Sequence, residues 1–211
     1  MRDIPIFNTD FGVASLFLKN IGLDRSAYIK IQDAEDVDKL LKACCDFCRS
    51  AGAEVIYVSG QGVPESYPVY TSVIKMSCKN VFPETDALLT PVQEQTMEQW
   101  RNIYNDKMKC VPAASQITFF DRKKYLDQGG CYFIYREDQL LGIGMVADDE
   151  IRVVASLQPG AGKKVVAALA KSMKYDHVVV HVADTNRKAI CLYEDLGFVF
   201  CGVVETWHKI F

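Results

Sequence analysis

The chain has 211 residues, of which 49% are hydrophobic, and a formal net charge of −3 at pH 7. This composition supports a full hydrophobic core in one large or two small domains. The charge, without any basic cluster, gives no electrostatic basis for binding nucleic acid. No apolar run approaches the roughly 20 residues that span a membrane, and the N-terminal residues lack the apolar core of a secretory signal. We therefore expect a cytoplasmic protein that binds neither nucleic acid nor membrane.

The first third of the chain predicts a small α/β unit. Residues 12–18 and 27–31 read as strands, and a helix with an Asp33 N-cap is expected to end at Gly52. A β-branched strand at 54–59, a Gly- and Pro-rich loop and a strand at 69–78 follow. The order is strand, strand, helix, strand, strand, and we place this half-domain in residues 1–84.

The remaining residues, 85–211, predict a second domain. Leu88 and Leu89 suggest a short strand, and Thr90 with Gln93 has the pattern of a capping box at a helix start. A second helix is expected near 119–126. A hairpin over 131–147 follows, in which two glycines indicate a bulge or a close approach of another backbone. Further strands are expected at 151–157 and 177–182.

Eight cysteines occur in the chain, and most lie in apolar runs. Without a secretory signal they are typical of reduced, buried thiols. Cys45 and Cys48 form a CxxC motif, but no second pair or nearby histidine has the spacing of a zinc site. Core packing on a helix is therefore favoured over metal or redox chemistry, and we expect no bound metal.

The most distinctive stretch is 186–202, reading NRKAICLYEDLGFVFCG. Asn186 suits a helix N-cap, and Ala189, Leu192 and Tyr193 fall on one helical face. Gly197 suits the left-handed turn that ends a helix. Six positions of this stretch resemble, in type and spacing, the last helix and strand of the GNAT acetyltransferases: Asn186, Ala189, Leu192, Tyr193, Gly197 and Phe198.

The resemblance implies a mixed central sheet flanked by helices, with acetyl-CoA held between two splayed parallel strands. Its pyrophosphate would lie on amides at the start of the next helix, where unpaired N–H groups and the helix dipole attract anions. Here the matching loop is 158–166, but Ala161, Lys164 and Val166 depart from the family pattern. A simple turn with a solvated lysine pair is the alternative. The expected cofactor-binding residues are Met145, Val146, Leu157, Gly162, Lys163, Lys164, Val165, Asn186 and Tyr193.

Acetyl transfer requires that the acceptor amine lose a proton and that the departing thiolate be stabilised. Tyr193 matches the position at which the family often keeps a general acid, and a phenol suits that role. Asn186 is a pantetheine ligand or only a helix cap. Glu205 and His208 of the last strand are candidates for a general base, but alternation places them on opposite faces, so at most one of them faces the cleft and neither is assigned.

These features predict an acyl-CoA-dependent N-acyltransferase that acts on a small-molecule or protein amine by direct attack. The alternative is a non-catalytic protein of this fold that senses CoA or serves as an interaction module. Residues 27–31 and 151–155 share an apolar pattern offset by 124 positions. The N-terminal region is therefore either a degenerate half-repeat or an unrelated subdomain. A homodimer through the apolar C-terminal Ile210 and Phe211 is a further possibility.

Overall fold

The computed structural model describes residues 2–210. Met1 and Phe211 lie outside the described residues, so the partner contact predicted for Phe211 falls outside them as well. The N-terminal elements are β1 (Ile4–Thr9), β2 (Gly12–Phe17), α1 (Ile21–Asp24), β3 (Ser26–Ala34), α2 (Val37–Ser50), β4 (Val55–Gly60) and β5 (Val69–Lys79). The next are β6 (Leu88–Pro91), α3 (Glu94–Met108), a 3-10 turn (Phe119–Asp121), α4 (Arg122–Gln128), β7 (Cys131–Arg136), β8 (Gln139–Ala147) and β9 (Glu150–Ser156). The last are α5 (Gly162–Lys171), β10 (His177–Ala183), α6 (Arg187–Asp195) and β11 (Val199–Ile210).

The described chain forms two compact units, each assembled from separate segments. The first unit contains residues 2–73, 112–116 and 203–210, and the second contains 74–111 and 117–202. Strands β5 and β11 therefore contribute residues to both units. The domain boundary expected between residues 84 and 85 stays a prediction.

In the first unit the strand order is β1-β2-β3-β4-β11-β5. The β1–β2 and β2–β3 pairs are antiparallel, β3–β4 is parallel, and β11 runs antiparallel to β4. Helix α2 packs a buried apolar face on these strands, with Leu40, Leu41 and Cys44 in the core. Ile210 pairs with Ile56 of β4, so this residue of the C-terminal strand is engaged within the unit.

Helix α2 begins later than the sequence indicates, and its cap is a different aspartate. Asp36 is the N-cap, and its side chain accepts a hydrogen bond from the Lys39 amide at 3.1 Å. The expectation of an Asp33 cap is wrong because Asp33 lies in β3, paired with Val13. Strand β1 is not among the predicted elements, and its Pro5 is tolerated because β1 is the edge strand of this order.

In the second unit β5 is followed by the order β10-β9-β8-β7-β6. Strands β6 to β9 are antiparallel neighbours, and β10 is parallel to β9. One hydrophobic cluster joins the sheet to α5 and α6, and another joins it to α3 around Trp100. The predicted mixed α/β sheet flanked by helices is confirmed. The four strands and the helix predicted for the N-terminal region are present as β2, β3, α2, β4 and β5, and β1 and the short α1 occur in addition.

Helix α3 also begins later than expected. Thr90 and Pro91 belong to β6 and pair with Phe133 and Tyr132 of β7, so they cannot cap a helix. Gln93 is the N-cap instead, in a capping box with Thr96. Within residues 2–210, no helix is both long and apolar enough to cross a bilayer.

Candidate active site

Parallel strands β9 and β10 are paired over a short distance and then separate. Their Cα partners within the described chain are Val179 with Glu150 and Val180 with Ile151, and no pair follows toward the carboxyl ends. In the first unit, by contrast, β3 and β4 are joined by six consecutive pairs, from Ser26–Val55 to Ile31–Gly60. The second unit therefore has an opening between two parallel strands, and the corresponding pair in the first unit is closed.

A β-bulge at Arg152 accounts for the separation. Met145 pairs with Val153 and Val146 pairs with Ile151, so β9 has one residue more than β8 at this point. Residues two apart on a regular strand face the same side of the sheet. Because of the extra residue, Ile151 packs in the cluster around α5, whereas Val153 packs in the cluster around α3 on the other side. A bulge bends its strand and increases the local twist, which turns the end of β9 away from β10.

The bulge leaves backbone donors directed into the opening. The Leu157 amide donates to the Leu141 carbonyl at 2.7 Å, on the β8 side. Backbone direction alternates along a strand, so the amides of Val154 and Ser156 point to the other side, toward β10. Since β9 and β10 are no longer paired there, these amides can bind a carbonyl group lying between the strands.

The N-terminus of α5 follows β9 and presents a second set of donors. Gly160 makes the turn with φ of +75°, a conformation that favours glycine. The N-cap, Ala161, has no side-chain oxygen to accept from the first turn, and no side-chain cap is formed. The amides of Gly162, Lys163 and Lys164 are therefore the orphan donors of this helix, which suits a phosphate group.

Both lysines predicted beside this phosphate site form ion pairs with carboxylates. Lys163 Nζ lies 2.9 Å from Asp195, and Lys164 Nζ lies 2.8 Å from Asp86. Side-chain hydrogen bonding to Lys164 lowers the pKa of Asp86. All four side chains are 41–60% exposed, and such surface pairs contribute only about 0–1 kcal/mol. The ammonium groups can therefore turn toward a phosphate at low cost.

Tyr193 of α6 combines a buried ring with a reachable hydroxyl. The ring packs 5.4 Å from Phe198, and the residue is 7% exposed. Burial raises the pKa of Tyr193 to about 12, and no hydrogen bond contributes to the shift. No buried side-chain oxygen among residues 2–210 lacks a partner, so this unpartnered hydroxyl must reach accessible space. It is protonated at neutral pH and acts as a donor.

The other predicted cofactor residues lie in different environments. Met145 and Val146 are on β8, one strand away from the opening, and the Val146 amide donates to Gly130. Val165 is fully buried and its amide donates to Ala161. Asn186 caps α6 by accepting from the Ala189 amide at 3.2 Å. Leu157 begins the loop that follows β9, and Gly162, Lys163 and Lys164 form the first turn of α5.

Sequence reasoning missed a charged cluster on β9 and β10. His181 Nδ1 lies 2.7 Å from Glu150 Oε1, and Arg152 Nε lies 3.1 Å from Glu150 Oε2. Val180 and Val182 point into the α5 cluster, so His181, between them, faces the other side of the sheet. A histidine inside an apolar strand was the available signal, but its carboxylate partner depends on strand register.

Glu205 and His208, the two candidate bases of the last strand, both lie in the first unit. Glu205 accepts from Ser59 Oγ at 2.8 Å and pairs with Lys30 at 2.8 Å. His208 Nδ1 lies 3.0 Å from the carbonyl of Tyr67. Neither side chain is part of the opening in the second unit.

Comparison with solved structures finds the same architecture at low sequence identity. A functionally unknown protein from Staphylococcus epidermidis matches with a TM-score of 0.61 and 11% identity, over 96% of this chain and 91% of that one. A putative acetyltransferase from Pyrococcus horikoshii matches with 0.60 and 10%, over 95% and 70%. A tandem GNAT protein from the clavulanic acid biosynthesis pathway matches with 0.51 and 10%, over 96% and 81%.

No protein-family model matches the sequence, and no curated protein matches it either. Structures described as GCN5-related N-acetyltransferases recur among the solved relatives. The resemblance carried by the stretch from Asn186 to Phe198 is confirmed at the level of fold: the chain has the fold of the GNAT superfamily.

Proposed function

We propose that this protein is an acyl-CoA-dependent N-acyltransferase that transfers an acetyl group to the amine of a small molecule or a protein. The observation that carries the proposal is the opening between β9 and β10, with unpaired amides at Val154 and Ser156. An apolar gap with a few directed donors is the usual form of a cofactor site. The closed β3–β4 pair of the first unit offers no such space.

The residues present fit acetyl-CoA at three points. The orphan amides of α5 suit its pyrophosphate, the strand amides suit the carbonyl groups of its arm and acyl group, and the Tyr193 hydroxyl suits its sulfur. When bound, acetyl-CoA supplies an activated thioester. The protein then has to orient the acceptor, remove its proton and stabilise negative charge on oxygen and sulfur.

We assign proton removal to His181. Glu150 lies at its Nδ1, so Nδ1 carries the hydrogen and Nε2 is left as the basic nitrogen. Arg152 holds the second oxygen of Glu150 and fixes its orientation. The side chain of His181 is 34% exposed, so an acceptor amine can approach it.

Tyr193 acts as a hydrogen-bond donor more than as a full acid. Its pKa of about 12 exceeds that of an ordinary thiol by roughly 3.5 units, so complete proton transfer to a thiolate is uphill by about 5 kcal/mol. A hydrogen bond to the sulfur stabilises the developing charge without that cost. Tyr193→Phe tests this role, because it removes the hydroxyl group and keeps the ring.

The catalytic assignment is tested by comparing two histidines of the same strand. His181→Ala is expected to lower kcat for a panel of amines by about 10²–10⁴-fold, with the calorimetric Kd for CoA unchanged. His177→Ala, at the exposed start of β10, is the matched control and should leave both quantities unaltered. Equal activity of the two variants would remove His181 from the mechanism.

The phosphate site is tested with two lysines of α5 that carry similar ion pairs. Lys164 pairs with Asp86 and Lys171 pairs with Glu84, each at 2.8 Å, but they lie at opposite ends of the helix. Lys164→Glu should weaken CoA binding by at least about tenfold, or 1.4 kcal/mol, and Lys171→Glu should not. Equal affinities in the two variants would contradict phosphate binding at the N-terminus of α5.

A second candidate is a CoA-binding sensor without turnover. It is favoured by one observation: burial raises the pKa of Tyr193 to about 12, so this phenol is a poor acid for a departing thiolate. This candidate would be selected over the enzyme if acetyl-CoA binds by calorimetry, no amine in the panel gives a product, and His181→Ala leaves the Kd for acetyl-CoA unchanged.

A further inference from the structure

The first unit contains a partly open pocket of about 240 Å³. All of its lining belongs to that unit, and its walls come from β2 and the residues that follow it, β3, β5, β11 and the loop 112–116. The proposed acyltransferase site uses none of these residues. At about 30 Å³ for a water molecule in liquid, the volume suits a ligand of several heavy atoms.

Three aromatic rings form one corner of the pocket. Trp207 meets Tyr28 edge-to-face, with centroids 5.1 Å apart and planes at 88°, and meets Phe17 at 6.4 Å and 80°. Phe17 and Tyr28 are also direct partners across β2 and β3. Rings set nearly at right angles present both faces and edges to the space between them, which is the arrangement that surrounds organic cations in proteins.

Next to these rings, Glu205 lines the pocket with a carboxylate of which one oxygen has no partner. Both the Ser59 hydrogen bond and the Lys30 ion pair of Glu205 fall on Oε1. Among residues 2–210, Oε2 has no hydrogen-bond or ion-pair partner. The Glu205 side chain is 20% exposed and lines the pocket. No buried side-chain oxygen among residues 2–210 lacks a partner, so Oε2 reaches accessible space, where an N–H group or a cation can meet it.

One loop that lines the pocket contains a residue in a strained conformation. Ala113 has φ of +60°, which costs a residue with a side chain roughly 1–2 kcal/mol. Asn20 fixes the loop by donating to the Ala114 carbonyl at 3.0 Å and accepting from the Gln116 amide at 3.2 Å. Strain that the surrounding bonds maintain is common beside ligand sites, and here it keeps the loop as a wall of the pocket.

We propose that this pocket binds a small organic ammonium ion, with its alkyl groups against Phe17, Tyr28 and Trp207 and an N–H group donated to Glu205 Oε2. The rings and the free carboxylate oxygen both favour positive charge. Lys19 also lines the pocket, but its ammonium lies 3.2 Å from Asp3 and is neutralised there. The proposal concerns binding alone and does not depend on acyl transfer.

Two indole groups make the test specific. The chain has two tryptophans, and Trp100 belongs to the second unit, so protein labelled with ¹⁵N-tryptophan reports the pocket and a built-in reference together. Trp207→Phe assigns the signals. Titration with n-butylammonium should shift the Trp207 indole signal saturably and leave that of Trp100 in place, whereas n-butanol, equal in size but uncharged, should shift neither.

Charge variants then identify the carboxylate. Glu205→Gln should weaken butylammonium binding at least about tenfold, which is 1.4 kcal/mol. Lys30→Gln should strengthen binding, because it removes the cation that competes for Glu205. Glu54→Gln, which removes an exposed carboxylate paired with Arg25 in the same unit, should change nothing.

The proposal is overturned if butanol and butylammonium give the same shifts, if no saturable shift occurs, or if Glu205→Gln binds as tightly as Glu54→Gln. Melting temperatures of the variants are measured in parallel. If Glu205→Gln proves unfolded, the Lys30→Gln comparison alone decides, since weaker binding in that variant contradicts the competition that the structure requires.

Discussion

Helix α5 is positioned on the sheet by glycines of β8, and this contact supports a quantitative prediction. A Cβ added to Gly144 would lie 2.7 Å from Leu169 Cδ2 and 3.0 Å from Leu169 Cγ. Carbon atoms normally rest about 3.5–4.0 Å apart, so Leu169, which is fully buried, would have to move by about 1 Å. Gly144→Ala therefore forces α5 away from β8 or Leu169 out of its rotamer.

Overpacking of this kind costs about 1–3 kcal/mol, which lowers Tm by about 2–12 °C in a chain of this size. The same change at Gly22 is the control, because a Cβ there meets nothing within 4 Å. Gly22→Ala should be neutral or stabilise by up to about 1 kcal/mol. Chemical denaturation of both variants at neutral pH gives the two free energies of unfolding.

A double-mutant cycle tests the cause. Leu169→Ala alone should cost about 2–5 kcal/mol through the cavity it leaves. With Gly144→Ala also present, the new methyl group occupies part of that cavity, so the double variant should be at least about 1 kcal/mol more stable than the sum of the single effects. Strict additivity would show that Gly144 and Leu169 do not determine the spacing of α5 and β8.

Three other predictions concern caps and titrating groups. Asp36→Ala should cost about 1 kcal/mol of unfolding free energy, because α2 loses its side-chain cap. Burial raises the pKa of Tyr193 from 10.0 to about 12 in the folded protein. Its contribution to the free energy of unfolding is therefore complete below pH 10 and is lost as the pH rises to 12. Over that interval the unfolding free energy of Tyr193→Phe should fall by about 2.7 kcal/mol less than that of the wild type. Burial raises the pKa of Cys44 and Cys48 to about 12, so at pH 8 a thiol reagent should modify exposed Cys191 and leave these two unmodified until the protein unfolds.

Local patterns predicted most of the helices and strands, because period and turn chemistry act over a few residues. Gly197 illustrates this: it has φ of +86° immediately after α6, as its position at a helix end predicts. The errors occurred where a long-range pairing overrides a local cue. Thr90 and Pro91 look like a helix start, but pairing with β7 holds them in a strand, and Asp33 is likewise drawn into β3 by pairing with β2.

The same limit explains what was missed in the site. Tyr193 and Asn186 could be predicted as site residues because they belong to one continuous segment, α6 and its N-cap. His181, Glu150 and the bulge at Arg152 depend on which residues of β8, β9 and β10 lie opposite one another. A shift of one residue in register reverses the faces of a strand, and nothing in a strand rich in valine specifies that register. The pocket around Trp207 is harder still, because its lining comes from segments almost 200 residues apart.

The two units supply an internal comparison that bears on where chemistry can occur. Each has three antiparallel strands, then a helix and a parallel strand: β1-β2-β3, α2 and β4 in one, and β7-β8-β9, α5 and β10 in the other. The difference lies in the parallel pair. The register between β2 and β3 also shifts, but it does so at Val13 and Ala14, opposite the end of β3. Strands β3 and β4 therefore stay paired over six positions, and their amides are used in that pairing. In the second unit the shift falls at Arg152, near the start of β9, and the whole carboxyl half of the strand is released. One inserted residue thus opens a site when it comes early in the strand and has no such effect when it comes late, so any acyl transfer should occur once per chain, in the second unit.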